Sequence, residues 1–369
     1  MEITVKDLLS TAPSDFLLLD MRSETEREYG SIPGSVSFDE HTVEQHREKR
    51  LVLYCARGII SVDAAEALCD KGFEAYSLKG GYAAWLRNKI EDQQADEVKA
   101  RVEQSLRKKF RVPLMSKFIK ALKTYKLVNE GDKVAVCISG GKDSMLMAKL
   151  FGELKLHSDV NFDVEYIVMD PGYNKENRRI IEENAKNLGI PIKIFETNIF
   201  DSVYHVEKSP CYLCARMRRG YLYNFARELG CNKIALGHHY DDVIETILMG
   251  MLHGAQIQTM MPKLRSTNHE GMELIRPLYL IREDDIKAWR DYNDLHFIQC
   301  ACKFTDTCTS CNDGQNHSKR QETKELIRAL KSSNPDVEKC IFRSVENVNI
   351  DTVIAYKKDG VKHSFLDDY

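Results

Sequence analysis

The residues with the most specific chemistry form a glycine-rich loop that carries a lysine and an aspartate. Its members are Ser139, Gly140, Gly141, Lys142, Asp143 and Ser144. An apolar run over 134–138 precedes the loop and a helix-like run over 145–150 follows it, so the loop joins a strand to a helix. Glycines let the backbone approach phosphate closely, and the N–H groups that open a helix favour an anion. The loop therefore predicts a nucleotide-phosphate site, to which Lys142 adds a mobile cation.

This loop is not the GxxxxGK[ST] loop of motor-type nucleotidases, because its glycine spacing differs and an acidic residue follows the lysine. It resembles the PP-loop of ATP pyrophosphatases. The resemblance implies a chain that binds ATP, activates an oxygen of its substrate by adenylation and releases pyrophosphate. It also implies Lys142 and Asp143 as catalytic residues.

A second polar segment follows a predicted strand over 233–236 and supplies further contacts to a nucleotide and its metal. The candidates are Gly237, His238, Asp241 and Asp242. Carboxylates at the end of a strand suit Mg²⁺, which binds nucleotide oxygens together with one or two carboxylates. We expect Gly237 to allow close approach, His238 to contact phosphate, and Asp241 or Asp242 to hold the metal. Asp170, which ends another predicted strand, is one more candidate contact to the nucleotide.

Two cysteines one helical turn apart, Cys211 and Cys214, stand directly before Arg216, Arg218 and Arg219. Such a pair binds a metal or cluster or forms a redox couple, and the arginines add an RNA-attracting surface. Together with the phosphate loop and the Gly-His-His run, this segment resembles the tRNA 2-thiocytidine synthetase group over roughly residues 110–330. Lysidine synthetases share the Gly-His-His signature but lack the cysteine set. The resemblance implies a [4Fe–4S] cluster held by Cys211, Cys214 and a third, downstream cysteine, with one iron open to sulfide.

The downstream cysteines depart from the pattern of that group. They are Cys300, Cys302, Cys308 and Cys311. Counting forward from 297–299 favours Cys300 as the third cluster ligand, which is our assignment, whereas counting back from 319–321 favours Cys308. A structural Zn²⁺ site built from these four cysteines is the alternative, because closely spaced cysteines are a common zinc signal.

Cys55 ends a predicted strand and opens a loop that leads into a helix, so backbone N–H groups are expected to surround its sulfur. Such a cradle stabilises a thiolate or a persulfide. The segment 55–61 resembles the active-site loop of rhodanese sulfurtransferases, as do 20–22, 32–35 and 80–85. The resemblance covers essentially the whole first domain and implies that Cys55 carries sulfur. A buried cysteine in an inactive rhodanese module is the alternative, because free cysteines are often buried.

Strands and helices alternate along the chain and predict two α/β domains. We expect a small rhodanese-like α/β domain over 1–90 and a polar, helical linker over 91–110. Residues 111–369 are expected to form a doubly wound parallel sheet of the PP-loop type, with a cysteine-rich C-terminal extension. In such sheets the ligand lies at the carboxyl ends of the strands.

Composition and charge narrow the class of protein. With 369 residues, 43% hydrophobic and 30% charged, the chain is typical of a soluble globular protein. It has no long apolar run and no signal-like start, which predicts a cytoplasmic protein that does not bind a membrane. Eleven cysteines, an odd number, favour metal or sulfur chemistry over a disulfide scaffold. Residues 99–126 contain ten Lys or Arg and only Glu103 as an acid. This stretch predicts a basic amphipathic helix that contacts a phosphate backbone, with a merely solvated face as the alternative.

The sequence thus favours an ATP-dependent tRNA 2-thiolase that acts on a pyrimidine, with cytidine preferred, and that receives persulfide sulfur through Cys55. Its expected partners are tRNA and a cysteine desulfurase or another persulfide donor, and a homodimer is compatible with this interpretation. Uridine 2-thiolation and lysidine formation are the nearest alternatives. A non-catalytic iron–sulfur or redox-sensing protein is the alternative from another class.

Overall fold

The computed structural model describes residues 1–200, 210–298 and 319–367, and within these ranges the side chains of 210–212 and 215 are left out. The described chain forms two compact units, Met1–Glu97 and Val98–Tyr369. Within the described residues, no helix is long and apolar enough to cross a lipid bilayer.

The first unit is a five-stranded sheet with helices packed against it. Its strands are β1 (Glu2–Ile3), β2 (Phe16–Asp20), β3 (Val36–Ser37), β4 (Arg50–Tyr54) and β5 (Ala75–Leu78). Its short helices are α1 (Val5–Ser10), α2 (Glu24–Glu28), α3 (Glu40–Gln45) and α4 (Ile60–Asp70). The strand order is β1-β5-β4-β2-β3 and every pairing is parallel. Alternate residues of β4 enter different cores, Leu51 and Leu53 on one face and Val52 and Tyr54 on the other, as a sheet buried on both faces requires.

A helix of 27 residues, α5 (Gly81–Arg107), begins in the first unit and passes its boundary. The predicted linker over 91–110 is therefore helical as far as Arg107. Its second half does not behave as a spacer, because Val102, Leu106 and Phe110 are buried in the core of the second unit. The division between the two units follows residue 97, which lies within the predicted linker.

The second unit contains a six-stranded sheet. Its strands are β6 (Lys133–Ile138), β7 (Asp163–Asp170), β8 (Ile192–Glu196), β9 (Lys233–Ala235), β10 (Lys263–Arg265) and β11 (Glu273–Ile275). Their order is β10-β11-β9-β6-β7-β8, parallel except for the antiparallel edge pair β10·β11. The chain runs from β6 outward to β8 and then returns to β9 on the other side of β6. This reversal creates the crevice in which doubly wound sheets bind ligands.

Helices cover this sheet and extend the unit. They are α6 (Lys117–Thr124), α7 (Lys142–His157), α8 (Lys175–Leu188), α9 (Pro210–Glu228), α10 (Tyr240–Gly254), α11 (Glu283–Tyr292), α12 (Lys319–Ser333) and α13 (Val337–Ser344). A hairpin of β12 (Ala355–Lys358) and β13 (Val361–Ser364) follows them.

The basic stretch is amphipathic as predicted, but it is not one helix. Leu114 and Phe118 are fully buried, whereas Lys108 and Arg111 are exposed. The backbone forms a π-helical turn over Arg111–Ser116 before α6 begins. The turn contains a proline, which has no N–H to donate to an α-helical ladder.

Candidate active site

The phosphate loop lies between β6 and α7, as the sequence predicts. Gly140 has φ +84°, a conformation that glycine adopts readily, and Gly141 caps α7. The hydroxyl of Ser144 accepts a hydrogen bond from the N–H of Ser139 at 3.1 Å and donates one to the carbonyl of Gly141 at 3.0 Å. These two bonds fold the loop back over the first turn of the helix.

Two glycines of the site have no room for a side chain. A Cβ added to Gly140 would lie 2.6 Å from side-chain atoms of both Ile181 and Ile298. A Cβ added to Gly237 would lie 3.2 Å from the backbone nitrogen of Ser144. The strand end that carries Gly237 therefore approaches the start of α7 directly. The close approach to a nucleotide that we expect of Gly237 stays a prediction.

The lysine of the loop is held between two carboxylates. Its Nζ lies 3.1 Å from Asp143 Oδ2 and 3.1 Å from Oε1 of Glu283, the first residue of α11. Burial alone would raise the pKa of Glu283, but a hydrogen bond from Lys287 and the charge of Lys142 lower it to about 2. Asp143 Oδ1 is buried and has no hydrogen-bond partner among the described residues, and His239 Nε2 lies 3.9 Å from it, so this oxygen can accept a hydrogen bond or bind a metal ion.

The second motif places a histidine ring and a carboxylate beside the loop. His238 Nδ1 is buried, and no described group forms a hydrogen bond with it. Burial and then the positive charge of Arg276 lower the pKa of His238 to about 4, so the ring is neutral at physiological pH. Asp242 closes a capping box with His239, whose N–H it accepts at 3.0 Å, and also pairs with Arg320 of α12.

Two of the predicted nucleotide contacts have internal partners. Asp241 accepts from Arg282 at 2.9 Å and from the N–H of Glu283 at 2.7 Å. Asp170 lies at the carboxyl end of β7, where its oxygens accept from two backbone N–H groups and from Arg178. Burial raises the pKa of Asp170, but these hydrogen bonds outweigh it and the net shift is downward. Neither carboxylate is among the described residues that line the cavity beside the loop.

That cavity has a volume of about 330 Å³ and lies at the carboxyl ends of three neighbouring strands. From the phosphate loop it is lined by Ser139, Asp143 and Ser144, and from the second motif by Gly237, His238 and Asp242. Helix α9 contributes Arg218 and Leu222 to its wall. Asp242 and His238, for which we predict contacts to Mg²⁺ and phosphate, thus line the same cavity as the phosphate loop.

Helix α9 also carries the two cysteines of the predicted cluster site. Cys214 is partly buried and packs in a small apolar cluster with Met169, which itself lines the cavity. The side chain of Cys211 lies outside the described part of the molecule. All four downstream cysteines, including the predicted ligand Cys300, lie outside it as well. Within the described residues, no group of three or more His, Cys, Asp or Glu side chains could hold a metal.

Charged residues from later in the chain complete the surroundings of the loop, and no sequence motif indicates them. Arg282 pairs with Glu338 of α13 in addition to Asp241. Arg320 donates to the buried carboxylate of Glu245 at 2.7 Å. A single charged residue at a helix start has no motif, so no local signal could have identified Glu283 or Arg320.

In the first unit, Cys55 lies in the predicted N–H cradle. Its side chain is buried, and its Sγ accepts from the N–H of Gly58 at 3.2 Å and from the Ser61 hydroxyl at 3.5 Å. Burial raises the pKa of the thiol, but these hydrogen bonds and those from the loop backbone lower it to about 7. A thiol with this pKa is partly thiolate at neutral pH and is therefore a nucleophile.

The loop that holds Cys55 is fixed by the first residues of α5. The N–H of Tyr82 donates to the carbonyl of Cys55 at 2.9 Å, and a Cβ on Gly81 would lie 2.2 Å from that same oxygen. The guanidinium of Arg22 stacks 3.7 Å from the centre of the Tyr82 ring and pairs with buried Asp20 at 2.7 Å. Three segments of the predicted rhodanese-like pattern, 20–22, 55–61 and 80–85, are thus linked through Tyr82.

Comparison with known proteins agrees with both resemblances. The chain matches the PP-loop domain family over residues 112–304 and the rhodanese-like domain family over residues 4–88. It is 36% identical to a tRNA-cytidine(32) 2-sulfurtransferase of Alcanivorax borkumensis over 62% of this chain and 78% of that protein. The protein of the same name from Anaeromyxobacter dehalogenans is 32% identical over 62% of this chain and 76% of its own length.

A solved structure supports the fold of the second unit. The U34-tRNA thiolase NcsA from Methanococcus maripaludis, determined with its [4Fe–4S] cluster, is 24% identical, with a TM-score of 0.50. The match covers 63% of this chain and 76% of that one.

Proposed function

The chain belongs to the PP-loop family, among its tRNA sulfurtransferases, and from this premise we propose that it replaces the 2-oxygen of a tRNA cytidine with sulfur. The observation that carries the proposal is the cavity at the strand ends. It collects the phosphate loop, the neutral His238 and the helix of Cys214 within one space of about 330 Å³. Nucleotide and sulfur chemistry therefore have a common location.

The first step is adenylation of the base. A carbonyl oxygen conjugated to ring nitrogen leaves poorly, so it must first be bonded to phosphorus. The oxygen attacks the α-phosphorus of ATP and pyrophosphate departs. We assign the N–H groups of the loop and Lys142 to the terminal phosphates. We assign Asp143 Oδ1, which has no hydrogen-bond partner among the described residues, together with Asp242 to Mg²⁺.

The second step replaces the activated oxygen with sulfur, and AMP leaves. Thiolate side chains suit iron, so the cysteine set fits a [4Fe–4S] cluster held by Cys211, Cys214 and Cys300. When bound, such a cluster supplies a soft iron site for sulfide. The alternative third ligand, Cys308, and a Zn²⁺ site at the downstream cysteines are the competing assignments.

The first unit is proposed to relay sulfur. Cys55, with its lowered pKa, accepts sulfur from a cysteine desulfurase or another persulfide donor and holds it in the N–H cradle. The outer sulfur of a persulfide reaches sulfide only by gaining two electrons, which we assign to a cellular dithiol. We further propose that the enzyme acts in the cytoplasm, binds tRNA through its basic stretch and forms a homodimer.

One experiment tests the thiolase function. The full chain is purified without oxygen, iron and sulfide are assayed, and tRNA is incubated with ATP, Mg²⁺ and sulfide before nucleoside analysis by mass spectrometry. We expect 2-thiocytidine from the native protein and none from Lys142→Ala. Lys155→Ala, on the exposed end of the same helix, is the matched control. Thiouridine or lysidine in place of 2-thiocytidine would contradict the assigned substrate, and an ATP-independent product would contradict adenylation.

The relay is tested separately with Cys55→Ser. We expect slower thiolation with a desulfurase and dithiol as sulfur source, and native rates with excess inorganic sulfide. Cys69→Ser, in α4 of the same unit, is the control. If Cys55→Ser slows thiolation equally with both sulfur sources, the relay role is contradicted, whereas the thiolase assignment is unaffected.

A further inference from the structure

The three arginines that follow Cys214 do not share one environment. The sequence groups them as an RNA-attracting surface, and Arg216 and Arg219 are indeed exposed. Arg218 is different, because its side chain is half-buried and lines the cavity beside the phosphate loop. A residue that faces the nucleotide crevice has a different task from its exposed neighbours.

The helical repeat explains this placement. Residues four apart on an α-helix lie on one face, so Cys214, Arg218 and Leu222 follow one another along α9. Arg218 and Leu222 both line the cavity, and Cys214 packs with Met169 of the cavity wall. The face that presents the cysteine thus also presents a guanidinium to the nucleotide side.

The charge of Arg218 has no counterpart in the described part of the chain. Its Nε is buried without a hydrogen-bond partner, and no carboxylate of the described residues pairs with it. The aromatic ring of Phe200 lies beside the guanidinium, with its centre 5.3 Å away. A buried donor without a partner is unfavourable, so such a group is expected to meet an acceptor when the site is filled.

Two carboxylates, Asp143 and Asp242, also line this cavity, and both are assigned above to Mg²⁺. The acceptor left for Arg218 is then an anion of the bound ligand. His238 on the same cavity is neutral, and Tyr173, whose pKa burial raises to about 12, is also neutral. Arg276, which influences His238, is a second buried guanidinium whose Nε has no partner among the described residues. The phosphate loop lines the same cavity through Ser139, Asp143 and Ser144, so the ligand anion expected beside Arg218 is a phosphate group.

We propose that Arg218 is a catalytic residue that binds the α-phosphate of ATP during adenylation and of the departing AMP during sulfur transfer. This inference rests on the proposed thiolase function. In the first step a bond forms between the base oxygen and the α-phosphorus, and the bond to pyrophosphate breaks. In the second, hydrosulfide forms a C–S bond, the C–O bond breaks, AMP takes that oxygen with its electron pair, and the hydrosulfide proton goes to solvent. The guanidinium stays protonated throughout and acts through its charge and its N–H groups.

The test follows adenylation alone, so it needs neither the cluster nor sulfide. tRNA and ATP labelled at the α-phosphate are mixed with excess protein, and transfer of label to tRNA is timed. We expect Arg218→Ala to slow the transfer by about 10²-fold, as loss of one preorganised donor does, with KM for ATP changed less than about threefold. Arg227→Ala, an exposed arginine of the same helix, is the control and should transfer label at the native rate.

Further measurements separate catalysis from structure and from RNA binding. Added guanidinium at millimolar concentration should partly restore Arg218→Ala, which a merely structural role would not allow. The affinity of Arg218→Ala for tRNA should equal that of the native protein, whereas Arg216→Ala should bind tRNA more weakly. Native transfer by Arg218→Ala, or weaker tRNA binding at an unchanged rate, would overturn the inference. Failure of the native protein itself to label tRNA would contradict adenylation, and hence the proposed function, instead.

Discussion

The ammonium of Lys142 lies 3.1 Å from the carboxylate of Glu283, although the two residues belong to different helices far apart in the chain. Glu283 also pairs with Lys287 at 3.1 Å. The cation that is assigned to nucleotide phosphates therefore has an internal anion as its partner. Any phosphate that binds this lysine has to compete with Glu283.

We predict that Glu283→Gln strengthens ATP binding. Removing a negative charge beside the phosphate site lowers the repulsion of ATP, and we expect about a threefold to tenfold lower dissociation constant at low salt. Isothermal titration calorimetry measures this change. The control is Asp285→Asn. Asp285 lies on the same helix as Glu283, and its carboxylate pairs with Lys117 instead of Lys142. Weaker ATP binding in Glu283→Gln would instead assign Glu283 to holding the lysine in place.

The same pair predicts a dependence of stability on acid. The pKa of Glu283 in the folded protein is about 2, below the value of about 4.3 in an unfolded chain. Its stabilising contribution is therefore complete above pH ~4.3 and is lost as pH falls towards 2. The difference in thermal midpoint between the native protein and Glu283→Gln should shrink across that window. A difference that stays constant from neutral pH to pH 2 would contradict the lowered pKa.

Gly140→Ala should destabilise the folded protein more than Gly131→Ala does. Both positions have positive φ, +84° and +77°, so both alanines add backbone strain of about 1–2 kcal/mol. Only Gly140 of this pair is crowded, by Ile181 and Ile298, whereas nothing described lies within 4 Å of a Cβ on Gly131. We expect Gly140→Ala to lower the thermal midpoint further and to abolish ATP binding, and Gly131→Ala to retain it. Equal midpoints would show that the two isoleucines yield without cost.

The reactivity of Cys55 should depend on Ser61. Alkylation of Cys55 by iodoacetamide, followed by peptide mass spectrometry, should show a midpoint near pH 7. In Ser61→Ala the thiolate loses a hydroxyl donor, so the midpoint should move upward towards the ordinary thiol value of ~8.5. Exposed Cys340 in the same samples serves as the internal reference. An unchanged midpoint would leave the backbone N–H groups as the sole cause of the lowered pKa.

The cluster assignment predicts a pattern among single cysteine variants. Cys211→Ser and Cys214→Ser should each lose the iron chromophore, and Cys300→Ser should be the one downstream variant that shares this loss. Lys142→Ala should keep a normal spectrum. Iron content and visible absorption of anaerobically purified protein measure both effects. If Cys308→Ser is the only downstream variant that loses iron, Cys308 is the third ligand. Normal iron content in every downstream variant would exclude a three-cysteine cluster.

Binding of tRNA is expected to weaken steeply with salt. The residues to neutralise are exposed and form no ion pair with described residues: Lys108, Arg111 and Lys120. Their replacement should reduce the slope of log affinity against log salt by about 1 for each phosphate that is no longer neutralised. Filter binding at several salt concentrations measures the slope. Lys6→Gln in the first unit is the control. An affinity that does not vary with salt would exclude binding of the RNA backbone through the basic stretch.

The sequence was sufficient to predict the conformation of those parts of the site that lie within one short segment of the chain. The loop from Ser139 to Ser144 combines strand end, glycines and helix start within a few residues, so its conformation is encoded locally. The cradle of Cys55 is similar, since Gly58 and Ser61 belong to the same loop. Neighbouring residues supply the hydrogen bonds within the phosphate loop and those to the Cys55 sulfur, whereas the bond from the N–H of Tyr82 to Cys55 comes from a distant segment.

The sequence could not reveal contacts made across long separations. Glu283 and Arg320 carry ordinary charges on helices with no distinctive motif, and only the folded chain brings them to Lys142 and Asp242. Strands of two or three residues, such as β3 and β11, are too short to show a period. The distinction between Arg218 and its exposed neighbours depends equally on which helix face meets the cavity.

Ile298 and Arg320 both lie against the two motifs of the candidate site. Ile298 fills the space above Gly140, and Arg320 pairs with Asp242 and Glu245. Neither residue belongs to a motif, yet each touches a part of the site that a motif supplies. A comparison of relatives at positions 298 and 320 therefore asks whether the surroundings of the loop are kept together with the loop itself.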